Sequence, residues 1–285
     1  MTQPAQADRY AVIGNPVEHS KSPWIHARFA GQTGEPVEYG RILGPLGGFE
    51  AAVKSFIASG GRGMNVTVPF KLDAHAFADS LSPRAAAAGA VNTLSFSDDG
   101  VRGDNTDGVG LVRDIEVNLG VSLEGARILL LGAGGAARGV VLPIFDRKPA
   151  ALVIVNRTAA KARELVAQFA ARAEETGVSL TGGGADSADN ARYDVVINAT
   201  AGSLDAALPE CDDAAFGAGT LAYDMMYGPK PTVFMEHAER LGARAADGLG
   251  MLVEQAAESF FIWRGVRPDG GAVLRELRHT LAAKA

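Results

Sequence analysis

A run of small residues, Gly132-Ala133-Gly134-Gly135-Ala136-Ala137, lies between the apolar stretch Arg127–Leu131 and a helical stretch, Ala136–Phe145. Glycines at this spacing let a strand turn tightly into a helix and let backbone come close to a ligand. The helix N-terminus then presents unpaired N–H groups and a partial positive charge. That is the chemistry of diphosphate binding. A second apolar run, Ala151–Val155, follows about one helix later, so the unit reads βαβ. Alone, this G-x-G-x-x-A spacing is a weak signal, because glycine turns also join ordinary α/β elements. The residues after the second strand sharpen it. Where the ribose carries a free 2′-hydroxyl, Asp or Glu usually stands there to accept from it. This chain has Asn156, followed by Arg157, Thr158 and Lys161. A carboxylate would repel a 2′-phosphate, whereas an amide beside a guanidinium and an ammonium attracts one. Thr158 is expected to cap the helix over 158–173, which leaves Arg157 and Lys161 for the ligand. The cofactor implied is NADP(H).

A second set of polar residues lies upstream, in four turns: Asn15–Pro23, Asn65–Lys71, Asn92-Thr93 and Gly103–Gly108. In open α/β sheets ligands gather outside the carboxyl ends of strands, where such loops converge. Each turn brings hydroxyls, amides or charge. Together they suit a small, highly hydroxylated ligand, which needs many directional partners rather than apolar area.

Elements that could position these turns follow from the apolar pattern. Strands are expected at 10–13, 37–43, 63–68 and 91–96, the last turning at Asp98-Asp99-Gly100 as a hairpin. Helices are expected at 22–33, with Pro23 in its first turn, and at 49–59, 70–79 and 83–89. Leu111, Ile115 and Leu119 recur on one face of a helix over 110–119. After the two strands of the glycine unit, further strands are expected at 178–181, 194–198, 220–224 and 243–246. A helix is expected at 232–241, then helices at 251–263 and 271–282. Strand–helix alternation throughout implies mainly parallel sheets.

Composition narrows the class. The 285 residues suit two modest α/β domains, with 47% hydrophobic and 21% charged residues giving core enough for both. A net charge of −6 argues against nucleic acid as a partner, which needs a net basic face. Cys211 is the single cysteine, so no intrachain disulfide or cysteine metal cluster can form, and the five histidines show no ligand spacing; no metal is expected. Residues 1–8 lack a basic segment followed by an apolar one, so a frayed tail rather than a signal peptide is expected, and no window is apolar enough to span a membrane. A cytoplasmic location is the default.

Eight segments together carry a family resemblance. They are Ser20–Pro23, Asn65–Lys71, Gly89–Thr93, Gly103–Gly108, Gly132–Ala136, Asn156–Thr158, Asn198–Thr200 and Asp247–Leu252. In order and spacing the chain resembles shikimate dehydrogenase from about Tyr10 to Pro268. The resemblance implies reversible NADPH-linked reduction of the ketone of 3-dehydroshikimate to shikimate, a step of aromatic amino-acid biosynthesis. It implies a two-lobed α/β fold: a substrate domain, 1–107 plus 249–285, and a Rossmann-type NADP-binding domain, 108–248, with the C-terminal helices returning to the first lobe. By similarity Lys71 is the catalytic acid/base group and Asp107 its partner; whether Lys71 moves a proton or acts by charge alone is left open. A lone Asp before a helix is ordinarily an N-cap, and Asp107 is expected to cap as well.

Ser20 and Ser22 resemble the pair that holds the substrate carboxylate, with Lys21 adding positive field. Thr67, Asn92 and Asp107 would bond ring hydroxyls, and Tyr227 and Gln255 would complete the substrate set. Gly132, Ala133, Gly134, Gly135, Ala136, Asn156, Arg157, Thr158, Lys161 and Thr200 would hold the dinucleotide, with Met225 and Gly248 beside the nicotinamide. Two departures stand out: Ala201–Leu204 differ from the commonest family pattern, and Lys161 stands where arginine is frequent, keeping charge but losing a bidentate fork. A quinate/shikimate dehydrogenase using NAD and a non-catalytic dinucleotide-binding regulator are the rival readings, and a homodimer is left open.

Overall fold

The protein is described from a computed structural model that places residues 7–188, 191–200 and 208–283. It forms two compact units. One runs up to Gly110 and takes up Val253–Leu277; the other comprises Leu111–Leu252 and the chain from Arg278 onward.

The first unit is built on a six-stranded sheet of order β2-β1-β3-β5-β6-β4: β1 (Asp8–Gly14), β2 (Val37–Leu43), β3 (Gly61–Val66), β4 (Ser80–Leu81), β5 (Thr93–Ser97) and β6 (Gly100–Asp104). Alternation along β1 sends Ala11 and Ile13 to one face. There they pack with Phe49, Val53 and Phe56 of α2 (Phe49–Ala58), with Met64 and Val66 of β3, and with Phe70. Tyr10 goes to the other face and stacks on Trp263 of α9 (Leu249–Arg264) at 4.5 Å between ring centroids. That face also takes α1 (Ser22–Thr33), which opens with Pro23 and ends where Gly34 turns left-handed at φ 71°.

Only part of this sheet is parallel. β1 pairs in parallel with β2 and β3, and β4 with β6, but β5 runs antiparallel to both β3 and β6. The reversal is what positions the polar turns. The start of β5 lies beside the end of β3, Asn65 opposite Thr93, and beside the end of β6, Thr93 opposite Asp104. The turns that follow β1, β3 and β6 and the one that precedes β5 therefore meet at one edge of a single sheet.

The second unit holds β7 (Arg127–Leu131), β8 (Ala151–Val155), β9 (Ser179–Gly183), β10 (Val195–Asn198), β11 (Leu221–Asp224) and β12 (Arg244–Asp247). The order is β12-β11-β10-β7-β8-β9 and all five pairings are parallel. Renumbered from the first strand, this is the doubly wound dinucleotide-binding order, with its switch point between β7 and β10. Ile128, Leu129, Leu130 and Leu131 are all at most 1% exposed, as a central parallel strand requires. At roughly 1.5–3 kcal/mol for each fully buried side chain, β7 anchors the unit.

The helix expected over 110–119 is not one regular helix. It starts earlier, as α5 (Asp107–Arg113), and continues as a single π turn, Asp114–Asn118. The widened turn accommodates a buried carboxylate: Asp114 is 2% exposed and accepts from Tyr223 Oη at 2.6 Å and Asn118 Nδ2 at 2.9 Å. Gly250 makes room for it, since a Cβ there would lie 1.9 Å from Asp114 Oδ1.

The units also change at residues other than 107 and 248. Tyr223 Oη accepts from the backbone N–H of Met251 at 3.3 Å, and the Arg278 fork holds Asp247 at 2.6 and 3.3 Å. Both ends of the C-terminal segment are thereby fastened to the second unit, while Val253–Leu277 packs in the first.

Candidate active site

In the first unit the converging turns bring Ser20, Ser22, Thr67, Lys71, Asn92 and Asp107 to one sheet edge. Lys71 opens α3 (Lys71–Phe77) and Asp107 opens α5. Lys71 Nζ donates to Asp107 Oδ2 at 2.6 Å, with the lysine side chain 36% and the aspartate 18% exposed. Asp107 does not cap its helix. The side chain of Asn105 does that work, accepting from the Asp107 N–H at 3.1 Å, and both Asp107 oxygens are turned to side chains instead. Oδ1 accepts from Asn92 Nδ2 at 2.8 Å. The start of α5 favours this negative charge through its unpaired N–H groups.

The orientation of Asn92 is fixed chemically. Its Oδ1 accepts from the backbone N–H of Thr106 at 2.9 Å and from Thr93 Oγ1 at 2.8 Å, so its Nδ2 must face Asp107 and Gln255 Oε1, the latter at 3.3 Å. Asn92 is 3% exposed, so a mispaired amide would be costly here. Below it Asp104 accepts from Ser82 Oγ at 2.6 Å, Arg84 Nε at 2.6 Å and the Asn105 N–H at 2.7 Å, which braces the Asn105–Asp107 turn. Glu258 of α9 shares the Arg84 guanidinium at 2.9 Å.

At the neighbouring corner Ser20 Oγ donates to Ser22 Oγ at 3.2 Å and accepts from the Ser22 N–H at 3.3 Å. Arg41 of β2 donates to the Ser20 carbonyl at 2.7 Å, adding a second positive charge near Lys21. Thr67 follows β3, its N–H held by the Ile13 carbonyl at 2.9 Å. Gly14 permits that approach: a Cβ on it would be 2.4 Å from Thr67 Cγ2.

Several further residues build this corner. Tyr39, half-buried, donates to Asn65 Oδ1 at 2.7 Å, and desolvation of its hydroxyl raises its phenol well above the ordinary value. Asn65, Thr93, Thr106 and Ser259 link behind Asn92. Asn65, Thr93 and Thr106 lay inside recognised segments, but nothing local distinguishes Tyr39 or Ser259. His26 stacks on Tyr39 with 4.1 Å between ring centroids, and burial pushes its imidazole down to about 3.

In the second unit Gly132 ends β7 at φ 111°, where L side chains are strained, and a Cβ there would come within 3.2 Å of the Ala199 backbone. The glycine turn and Ala199-Thr200 therefore face each other at the switch point. A Cβ placed on Gly134 or Gly135 would meet nothing within 4 Å, and α6 (Gly135–Phe145) has no side-chain cap. No capping side chain competes for its first N–H groups, as a diphosphate requires. Thr200 instead bonds inward, its Oγ1 to Asn198 Oδ1 at 2.7 Å.

Thr158 stands at the N-cap of α7 (Ala159–Thr176), yet its side chain makes no cap bond, contrary to expectation. Its extended backbone, with ψ 92°, sets the N-cap position, and the hydroxyl is left outward beside the exposed Arg157 and Lys161. Asn156 donates to the Thr158 carbonyl at 3.0 Å, tightening that loop. These groups fit a phosphorylated dinucleotide: an open glycine cradle, an uncapped helix start, and two cations with no carboxylate partner among the described residues.

Met225 follows β11, its N–H held by the Asn198 carbonyl at 3.0 Å, and Gly248 follows β12. A Cβ on Gly248 would lie 2.2 Å from the Met225 carbonyl, so these two are in contact. Tyr227 is 39% exposed, its phenol raised by burial and by Asp247. Ala201–Leu204 lie outside the described residues. Among the described residues no group of acidic, histidine or cysteine side chains is arranged to hold a metal, and no helix is long and apolar enough to cross a membrane.

Known proteins resemble the chain along nearly all its length. Residues 12–94 match the shikimate dehydrogenase substrate binding domain, residues 115–206 the shikimate/quinate 5-dehydrogenase model, and residues 248–278 the shikimate 5′-dehydrogenase C-terminal domain. A shikimate dehydrogenase (NADP(+)) of Cupriavidus necator is 56% identical over 284 residues, covering 98% of this chain and 96% of the relative. Among solved structures, an Ael1 enzyme from Pseudomonas putida superposes with a TM-score of 0.90 at 48% identity, covering 95% of this chain and 98% of that one. The Thermus thermophilus shikimate 5-dehydrogenase, solved with NADP(H) and shikimate, gives 0.80 at 32% identity, covering 95% and 99%. A chain of this fold, matched along nearly all its length, belongs to the shikimate dehydrogenase family.

Proposed function

We propose that the protein catalyses the reversible, NADP-linked interconversion of 3-dehydroshikimate and shikimate. The observation that carries this is the Lys71–Asp107 pair at 2.6 Å, set among hydroxyl and amide donors at one sheet edge. Reducing a ring ketone leaves charge developing on its oxygen. An ammonium beside that oxygen stabilises the charge and can release a proton to it. Asp107 holds the Lys71 ammonium through one oxygen, and Asn92 holds Asp107 through the other.

The remaining roles follow the chemistry of each group. Ser20 and Ser22, backed by Arg41 and Lys21, take the substrate carboxylate. Thr67, Asn92, Asp107 and Gln255 take ring hydroxyls, with Tyr227 a further substrate contact. NADP(H), when bound, supplies the hydride in one direction and accepts it in the other. Gly132 to Ala136 receive its diphosphate, Asn156, Arg157, Thr158 and Lys161 its 2′-phosphate, and Thr200, Met225 and Gly248 border it. The chain up to Gly110, with Val253–Leu277, is thus the substrate unit, and Leu111–Leu252 the cofactor unit.

The test is spectrophotometric. Purified protein is mixed with shikimate and NADP⁺, and the reduced-nicotinamide band is followed, with quinate and NAD⁺ as comparison substrates. Rapid growth of the band with shikimate and NADP⁺, and a kcat/KM at least tenfold lower with NAD⁺, is expected. No growth with any pair would overturn the assignment, and preference for NAD⁺ or quinate would replace it with the broader dehydrogenase.

A further inference from the structure

The hydroxyl of Ser259 sits behind the substrate-facing residues, at the crossing of three chain segments. It is wholly buried on α9. Its Oγ lies 2.9 Å from Asn65 Nδ2, 2.8 Å from Thr93 Oγ1 and 3.3 Å from Thr106 Oγ1, and within 3.0 Å of its own helix at the Gln255 carbonyl. No substrate could touch it.

The direction of each hydrogen bond here can be worked out. Tyr39 donates to Asn65 Oδ1 at 2.7 Å, and Asn65 Nδ2 reaches the Asn92 carbonyl at 3.2 Å, which can only accept. The Asn65 amide is therefore fixed, with Nδ2 donating to Ser259. Thr93 gives its proton to Asn92 Oδ1 at 2.8 Å. Two hydroxyl oxygens 2.8 Å apart need a proton between them, and Thr93 has already used its own. Ser259 must donate to Thr93 in preference to the longer contact with the Gln255 carbonyl. The donors then all run one way, from Tyr39 through Asn65, Ser259, Thr93 and Asn92 to Asp107. Buried hydrogen bonds aligned in series polarise and orient one another.

We propose that Ser259 is a positioning residue for the reaction: through Thr93, and beside the Thr106 N–H, it reinforces the orientation of the Asn92 carboxamide in which Nδ2 faces Asp107, the partner of Lys71. This rests on the functional reading above. Ser259→Ala removes one hydroxyl, yet leaves Asn65 Nδ2 two acceptors, the Asn92 carbonyl and Thr93 Oγ1, each at 3.2 Å, so folding is retained. What is lost is the donor that orients Thr93.

The experiment is a double-mutant cycle on kcat and KM with shikimate and NADP⁺, with Tm recorded for each protein. Ser259→Ala is expected to lower kcat roughly fivefold to tenfold, the scale of one buried neutral hydrogen bond, with KM changed less than about twofold. Thr93→Val, which keeps the shape and removes the hydroxyl, should match it. Combining the two should add less than about a twofold further loss, because both break the same link. Thr93→Ser, which keeps the hydroxyl, should restore kcat to near wild type.

A lowered Tm with wild-type kcat in Ser259→Ala would make the residue merely structural and overturn the proposal. Fully multiplicative losses in the double variant would overturn it too, since Ser259 would not act through Thr93. Absence of wild-type turnover would instead strike the functional assignment, which separates the two failures.

Discussion

The two binding regions are built on opposite plans. At the sheet edge of the first unit, side chains are committed to one another: Lys71 to Asp107, Asp107 to Asn92, Asn92 to Thr93 and Thr106, Asn65 to Ser259. At the switch point of the second unit, the groups on offer are backbone N–H at an uncapped helix start and exposed cations. The difference matches what each must do. Stabilising a developing charge needs groups fixed before the substrate arrives, so that no reorganisation accompanies reaction. Gripping a flexible diphosphate and a 2′-phosphate needs room for close approach and charges left without internal partners.

The largest break in this contrast is expected from Lys71→Ala. It should lower kcat by roughly 10²–10⁴ with a much smaller change in KM, as for a lost general acid, measured by steady-state turnover. Next comes the cofactor side. Arg157→Ala with Lys161→Ala should raise the Kd for NADPH by about 10²-fold while leaving NADH binding within a fewfold, since each charged hydrogen bond to phosphate contributes about 1.5–3 kcal/mol before screening. Equal weakening of both nucleotides would mean these cations do not meet the 2′-phosphate.

His26 sharpens the contrast through pH. Burial holds its imidazole at about 3 in the folded protein, against roughly 6.5 in an unfolded chain. The unfolded chain therefore binds the proton first as pH falls. His26 contributes no pH dependence above about 6.5; below that, stability declines by up to about 1.4 kcal/mol per pH unit until the folded form also protonates near 3. His26→Phe, which keeps a ring on Tyr39, should flatten this acid slope by one proton in urea titrations between about pH 6.5 and 4. An unchanged slope would contradict the burial argument.

The smallest effects distinguish two threonines at helix starts. Thr232 Oγ1 accepts from the Met235 N–H at 3.3 Å and donates to Asp224 at 2.6 Å, whereas Thr158 makes no cap bond. Thr232→Ala should cost about 1–2 kcal/mol in chemical denaturation, and Thr158→Ala under about 0.5 kcal/mol while weakening NADPH binding. Equal costs would mean the Thr158 hydroxyl serves the fold and not the ligand.

The same contrast explains what the sequence made legible. Gly132, Gly134 and Gly135 encode backbone geometry directly, and Asn156, Arg157 and Lys161 follow at a spacing set by one βα unit, so the cofactor region could be read locally. In the first unit the segments holding Lys71, Asn92 and Asp107 were readable. Their meeting depends on β5 running antiparallel between β3 and β6; the turn at Asp98-Asp99-Gly100 signalled the pairing with β6, but nothing in the sequence signalled the one with β3. Tyr39 and Ser259 were invisible because their roles arise from contacts across 26 and 194 residues of sequence. The capping expectations for Asp107 and Thr158 failed because propensity places a residue at a helix start without fixing where its side chain goes: the Thr158 hydroxyl makes no cap bond. Asp107 was drawn to Lys71 and Asn92, with Asn105 supplying the cap.

If chemistry and cofactor grip belong to separate units, they can be lost separately. The most direct measurement is a titration of Lys71→Ala with NADPH, followed by nucleotide fluorescence. A Kd within about twofold of wild type is predicted, in a protein that has lost its turnover. A Kd weakened in step with kcat would contradict the division of labour, placing Lys71 in the cofactor's grip instead of at the substrate.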